Sequence, residues 1–154
     1  MVEEGIRLFH EQRTLPEILE GIYAMRDRAI GYFMINDLNY LHRGGRMSAT
    51  SALMGNLLQI KPILHFEAHK LDVVAKVRTL KKAKDMLYSL LEHDVNENRV
   101  LEISVVHAHH LEEAKKWREQ IHEKFKNIPV SISTLGTVVG VHSGPGAIGL
   151  SWKW

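Results

Sequence analysis

A histidine and a serine stand side by side near the end of the chain, in Gly136-Thr137-Val138-Val139-Gly140-Val141-His142-Ser143-Gly144-Pro145-Gly146-Ala147-Ile148-Gly149. Five of the chain's eleven glycines fall in this stretch, which predicts a tight, shaped loop between two apolar runs. The His142 ring, the Ser143 hydroxyl and the N–H groups of Ser143, Gly144 and Gly146 could together hold an anionic group. Pro145 donates nothing, so this is a poorer cradle than an unbroken glycine nest. The lysine of a P-loop and the glycine spacing of a dinucleotide fingerprint are both missing. An ordinary Gly/Pro turn between strands uses these same residue types.

Two other chemistries deserve weighing. Ser143 as a nucleophile in a small hydrolase or transferase needs His142 as its base. Neighbouring side chains in an extended loop point to opposite faces, so the pair works only if the loop twists them together, and no third member can be named. His107, His109 and His110 form the obvious metal candidate, since imidazole is a common zinc or copper ligand. No carboxylate stands at a motif-like spacing to complete the set, so the expectation is incidental histidines closing a strand, with no metal and no cofactor. In His42-Arg43-Gly44-Gly45-Arg46 the paired glycines permit a sharp bend, and the arginines offer planar donors for a carboxylate or phosphate.

The elements that must position these groups can be read from periodicity. Helix is expected over 2–12, with Ile6 and Phe9 on one face. Thr14-Leu15-Pro16-Glu17 is a capping box with Pro in the first turn, opening a helix over 15–28. An apolar run over 31–35 suits a buried strand, ending at Asn36-Asp37. Ser48 caps a further helix carrying Leu53, Leu57 and Leu58, a stripe that either lines an apolar pocket or is plain core. Runs over 63–67 and 71–77 read as a hairpin around Ala68-His69-Lys70. A helix over 80–91, a polar turn over 94–98 and a strand over 100–106 follow. The last helix carries Leu111, Ala114, Trp117, Ile121 and Phe125, and strands over 130–135 and 147–152 complete the chain. Hairpins mixed with crossover helices predict one α/β (α+β) domain spanning 1–154, with a mixed, largely antiparallel sheet of about six strands covered by helices.

Composition bounds the rest. The chain of 154 residues is the length of one domain, and its net charge of +2 is spread over interleaved acidic and basic residues. That balance argues against nucleic acid or a membrane surface as partner. There is no cysteine, hence no disulfide or thiol chemistry. No signal-peptide pattern and no apolar run of spanning length is present, so a cytoplasmic location is expected.

Four motifs in order carry a resemblance: Tyr32-Phe33-Met34-Ile35-Asn36-Asp37-Leu38 with Leu41-His42-Arg43-Gly44-Gly45-Arg46; Ile60-Lys61-Pro62-Ile63-Leu64; Lys76-Val77-Arg78-Thr79; and His142 to Gly149. Together they resemble the C-terminal domain of the DegV family, collinearly over nearly the whole chain. The resemblance implies a bacterial fatty-acid carrier rather than an enzyme. Such a carrier holds a long-chain fatty acid and presents its carboxylate to a fatty-acid kinase, which makes the acyl phosphate for phospholipid synthesis. It implies that His142 lies near the carboxylate, with Ser143 and Gly144 beside it; Ser143 stands where the family usually has threonine. Arg46 and Arg78 match family arginines and are expected to position the headgroup region or dock the kinase. Leu53, Leu57 and Ile63 are expected tail contacts, each buried CH₂ contributing about 0.8 kcal/mol. Family members are about twice as long, and their N-terminal Rossmann-like domain has no counterpart here. The abrupt start therefore reads as a truncated gene product or one half of a split protein, whose uncovered face would meet the other half or a second copy.

Overall fold

The computed structural model describes residues 2–45, 60–67, 70–97 and 100–154. Arg46, Leu53, Leu57 and the helix expected from Ser48 lie outside the described residues, as do Ala68 and His69 of the expected hairpin turn.

Two helices open the chain, α1 (Val2–His10) and α2 (Leu15–Asp27). The capping box at the start of α2 is formed, with the Thr14 N–H donating to Glu17 Oε2 at 2.7 Å. The helices pack against each other at Gly21, where an added Cβ would meet Leu8 Cδ1 at 2.5 Å. Leu8 is the buried residue of α1, and α2 has none. The outer side of the pair shows Val2, Ile6, Phe9, Leu15, Leu19 and Tyr23 to solvent, with Val2 at 78% and Phe9 at 70% of full exposure.

Strands β1 (Ala29–Met34), β2 (Lys61–Glu67), β3 (Lys70–Val77), β4 (Glu102–His107), β5 (Val130–Thr134) and β6 (Ile148–Lys153) form one sheet in the order β3-β2-β1-β6-β4-β5. Every pairing is antiparallel except β4 with β5. That parallel pair needs a crossover, which α5 (Leu111–Lys124) supplies. Short helices α3 (Asn39–Arg43) and α6 (Thr137–Ser143) and the long α4 (Leu80–Glu97) complete the described elements. The fold is therefore the expected α/β domain with a mixed, largely antiparallel, open sheet.

Period-two alternation divides the sheet's apolar residues between two clusters. Met34, Ile63, Ile103, Val105, Ile148, Leu150 and Trp152 meet Ala83, Leu87 and Leu91 of α4 and Ala114, Trp117 and Ile121 of α5. A smaller cluster joins Phe33, Ile35, Leu38, Leu41 and Leu64, with Leu71 and Val73 against it. Strand neighbours Ile63 and Leu64 thus belong to different clusters.

Two elements differ from expectation. Helix α4 continues to Glu97 through the expected polar turn, where Asp94 accepts the indole N–H of Trp152, a core residue 2% exposed, at 2.8 Å. The glycine-rich stretch is helical in its first half: the Gly140 N–H donates to Gly136 O at 2.8 Å, and Val138, Val139 and Val141 lie in the helix.

Candidate functional site

One end of the sheet gathers the groups that sequence reasoning singled out. There β1, β3, β4 and β5 finish while β2 and β6 begin, as the pairings Met34 with Ile148, Lys61 with Val77, and His107 with both Thr134 and Ile148 require. The His142-Ser143-Gly144-Pro145-Gly146 segment crosses this end. Helix α6 stops at Gly144, whose φ of 72° and ψ of 171° suit glycine alone, and Pro145 next to it cannot continue a helix. Gly146, at φ 83°, turns the chain into β6. Its N–H donates to Ala108 O at 2.8 Å, and the Ala108 N–H donates to Ala147 O at 2.8 Å, so the loop is tied to the exit of β4.

The segment around α3 grips the loop from the other side. The Asp37 carboxylate accepts the Asn39 N–H at 2.9 Å and starts α3. Tyr40 on α3 lays its ring against Gly144, where an added Cβ would sit 2.4 Å from Cδ2. Gly44, at the end of α3, faces the His142 ring, with Nδ1 only 2.0 Å from where a Cβ would be. Asn36 packs against Gly146 and accepts a hydrogen bond from Lys61 Nζ. Leu41, between these contacts, belongs to the smaller apolar cluster. The imidazole therefore stands beside the end of α3.

Polarity inside this arrangement is unbalanced. Ser143 is 1% exposed and its Oγ has no partner among the described residues. His142 Nδ1 and His110 Nδ1 are likewise buried and unpaired. Such atoms cost about 1–3 kcal/mol each when nothing bonds them, and they are uncommon outside sites that bind something polar. His142 and Ser143 follow one another on a helix rather than in an extended loop, yet no hydrogen bond joins them. Among the described residues no base is paired with the Ser143 hydroxyl.

His107 is 5% exposed, and its Nδ1 accepts the His110 N–H at 3.2 Å. Burial pushes the His107 imidazole below its usual range, and the neighbouring His110 and His109 add to the shift. His109 is exposed, with a positive φ of 50°. The three histidines therefore serve a turn and a helix start, with no common centre. Arg78 is exposed just beyond β3, at the same end of the sheet. Ile63 is fully buried against α4, whereas its neighbour Leu64 lies in the α3 cluster.

Sequence reasoning assigned Tyr40, Gly44, Asn36 and His110 no role at this loop, although Gly44 stood in the glycine pair, Asn36 at a strand end and His110 in the histidine cluster. The one signal for the first two is their spacing of four, which puts them on the same helical face. A separate open cleft of about 200 Å³, lined in part by Glu3, Met25, Glu102, Ser104, Ser151 and Lys153, lies at the other end of the sheet. Most of its polar groups have partners in the fold: Ser104 Oγ donates to Ser133 Oγ at 3.0 Å, Ser151 Oγ to Ile30 O at 3.0 Å, and Lys153 pairs with Glu102 at 2.7 Å.

The family model described as "Uncharacterised protein, DegV family" matches residues 1–153. The chain belongs to the DegV family. The DegV domain-containing protein BH3627 of Halalkalibacterium halodurans is 38% identical over 151 residues, 98% of this chain and 53% of that protein. The crystal structure of DegV, a fatty acid binding protein from Bacillus subtilis, superposes with a TM-score of 0.83 at 35% identity, covering 98% of this chain and 54% of that one. The Fatty Acid Kinase (Fak) B3 protein of Streptococcus pneumoniae, solved loaded with linoleic acid, shares the fold with a TM-score of 0.80 at 18% identity, over 99% of this chain and 54% of that one. The chain spans about half the length of the DegV relatives it matches.

Proposed function

We propose that this DegV chain binds a long-chain fatty acid as a carrier, with the carboxylate at His142 and Ser143 and the tail along the apolar cluster beside α3. The observation that carries this reading is Ser143 Oγ, buried and without a partner among the described residues, next to the His142 ring on the helix that packs against α3. A carboxylate accepts from a hydroxyl and an imidazole N–H, and such charge-assisted bonds are about twice as strong as neutral ones. With Nδ1 turned inward, Nε2 is the ring nitrogen that meets the ligand. The Gly144 and Gly146 N–H groups, expected from the sequence to join the donor set, donate instead to Gly140 O and Ala108 O, so the hydroxyl and the imidazole carry the headgroup. Phe33, Leu41 and Leu64 belong to the buried apolar cluster that includes α3, and Leu53 and Leu57 are the further tail contacts that the sequence suggests.

Binding, with no bond made or broken, is the role supported by a serine hydroxyl that is unpaired among the described residues. The fatty-acid-binding relatives support a fatty acid as ligand, and the pneumococcal fatty acid kinase B3 protein supports a fatty-acid kinase as the partner that takes the carboxylate. Arg78, exposed at the same end of the sheet, and Arg46 are the cations we assign to that encounter or to the headgroup region. A kinase partner puts the work in the cytoplasm. The apolar outer side of α1 and α2 would meet the part of the relatives that this chain does not span, or a second copy.

The test is calorimetric titration of linoleic acid into the purified chain and into His142→Ala and Ser143→Ala. The reading expects a one-to-one complex in the parent and weaker binding, by about tenfold or more, in each variant. Equal affinity in all three proteins contradicts it.

A further inference from the structure

The two adjacent glycines of Gly44-Gly45 do different work. Gly45 has a φ of 67°, a left-handed backbone that glycine adopts without penalty at the end of a helix. Gly44 has φ −78° and ψ 0°, a conformation open to any residue. Backbone geometry therefore gives no reason for glycine at position 44. The reason lies in what faces it: an added Cβ would sit 2.0 Å from His142 Nδ1, 2.8 Å from Cε1 and 3.2 Å from Cγ. The imidazole fills the volume that a side chain at 44 would take. Four residues earlier on the same face of α3, the Tyr40 ring lies against Gly144. One face of a short helix thus contacts two residues that flank Ser143.

We infer that Gly44 is a positioning residue for His142: its lack of a side chain sets the imidazole in the orientation that turns Nδ1 inward and leaves Nε2 for the carboxylate. This rests on the carrier reading for its functional consequence, though the steric relationship stands apart from it. An alanine at 44 meets a side chain rather than backbone, so the ring turns away and the backbone stays. The resulting protein folds normally and loses its grip on the headgroup.

The experiment uses Gly44→Ala in the 154-residue chain, beside His142→Ala, the double variant and Gly45→Ala. Two readouts are taken. The first is the ring-proton NMR signals of His142 without ligand, assigned by their loss in His142→Ala. The second is affinity for linoleic acid relative to its methyl ester, which keeps the tail but lacks the charge. The inference expects Gly44→Ala to shift the His142 signals, to keep the thermal midpoint near that of the parent, and to lose about tenfold in preference for acid over ester. The double variant should lose no more preference than His142→Ala. Gly45→Ala should lower the midpoint by backbone strain and keep the preference. Unmoved His142 signals with an intact preference in Gly44→Ala overturn the assignment. A parent protein that binds acid and ester equally would instead sink the carrier reading, and the NMR signals would still decide whether Gly44 sets the ring.

Discussion

The Tyr40 ring and Gly144 touch so closely that a methyl group on Gly144 would lie 2.4 to 2.7 Å from three ring carbons. Together with the Gly44 contact to His142, this makes α3 the element that fixes the end of α6. The loop chemistry therefore depends on a short helix that follows β1, far away in sequence.

Gly144→Ala meets both a steric and a backbone objection, and the two can be separated. Backbone strain at φ 72° alone is expected to destabilise the chain by about 1–3 kcal/mol in urea unfolding. Adding Tyr40→Ala makes room for the methyl group but leaves the strain, so stability should not return. Full recovery in the double variant would show that the ring contact was the whole effect.

Ser143→Ala should be close to neutral for stability or raise it by up to about 1 kcal/mol, since it removes a buried hydroxyl that no described residue bonds. The same change should weaken fatty-acid binding. A clear fall in thermal midpoint would mean that the hydroxyl is paired within the folded chain.

Asp94→Ala strands the Trp152 indole N–H inside the core and should cost about 1–3 kcal/mol, whereas Asp94→Asn keeps an acceptor and should cost less. Chemical denaturation of both variants checks this. Equal losses would point to the helix rather than to the indole.

Stability should also fall in mild acid through His107. Its folded-state pKa is lowered below the ordinary value of 6.5, chiefly by burial, so below that pH the unfolded chain binds the proton more readily. The loss should grow as pH drops from that value and level off once the folded protein is protonated too. Unfolding free energies measured across this window in parent and His107→Gln should differ in slope, with the variant flatter. Parallel curves would remove His107 as the cause.

Much of the scaffold could be read directly because its signals are local. The Thr14 to Glu17 capping box, the Leu80, Ala83, Leu87, Leu91 stripe and the alternation in 100–106 each need only a few neighbouring residues, and each appears as α2, α4 and β4. The site is different. Val138, Val139 and Val141 with Gly136 and Gly140 favour strand or turn, and they are helical because α6 packs against α3. Ile63 and Leu64 are equally apolar, and only the strand register decides which of them joins the cluster beside α3. Gly44 reads as half of a flexible pair; its partner His142 comes into view only when the sheet brings the ends of β1 and β4 to the loop. The DegV resemblance, by contrast, rested on four ordered motifs and pointed to the right family.

The central claim is that this chain holds a fatty acid through His142 and Ser143, and mass spectrometry of an organic extract from the purified 154-residue protein tests it most directly. The account predicts a fatty acid in one-to-one ratio with the protein, lost from the extract of the His142→Ala, Ser143→Ala double variant. An empty extract from the parent that stays empty after incubation with linoleic acid would contradict it.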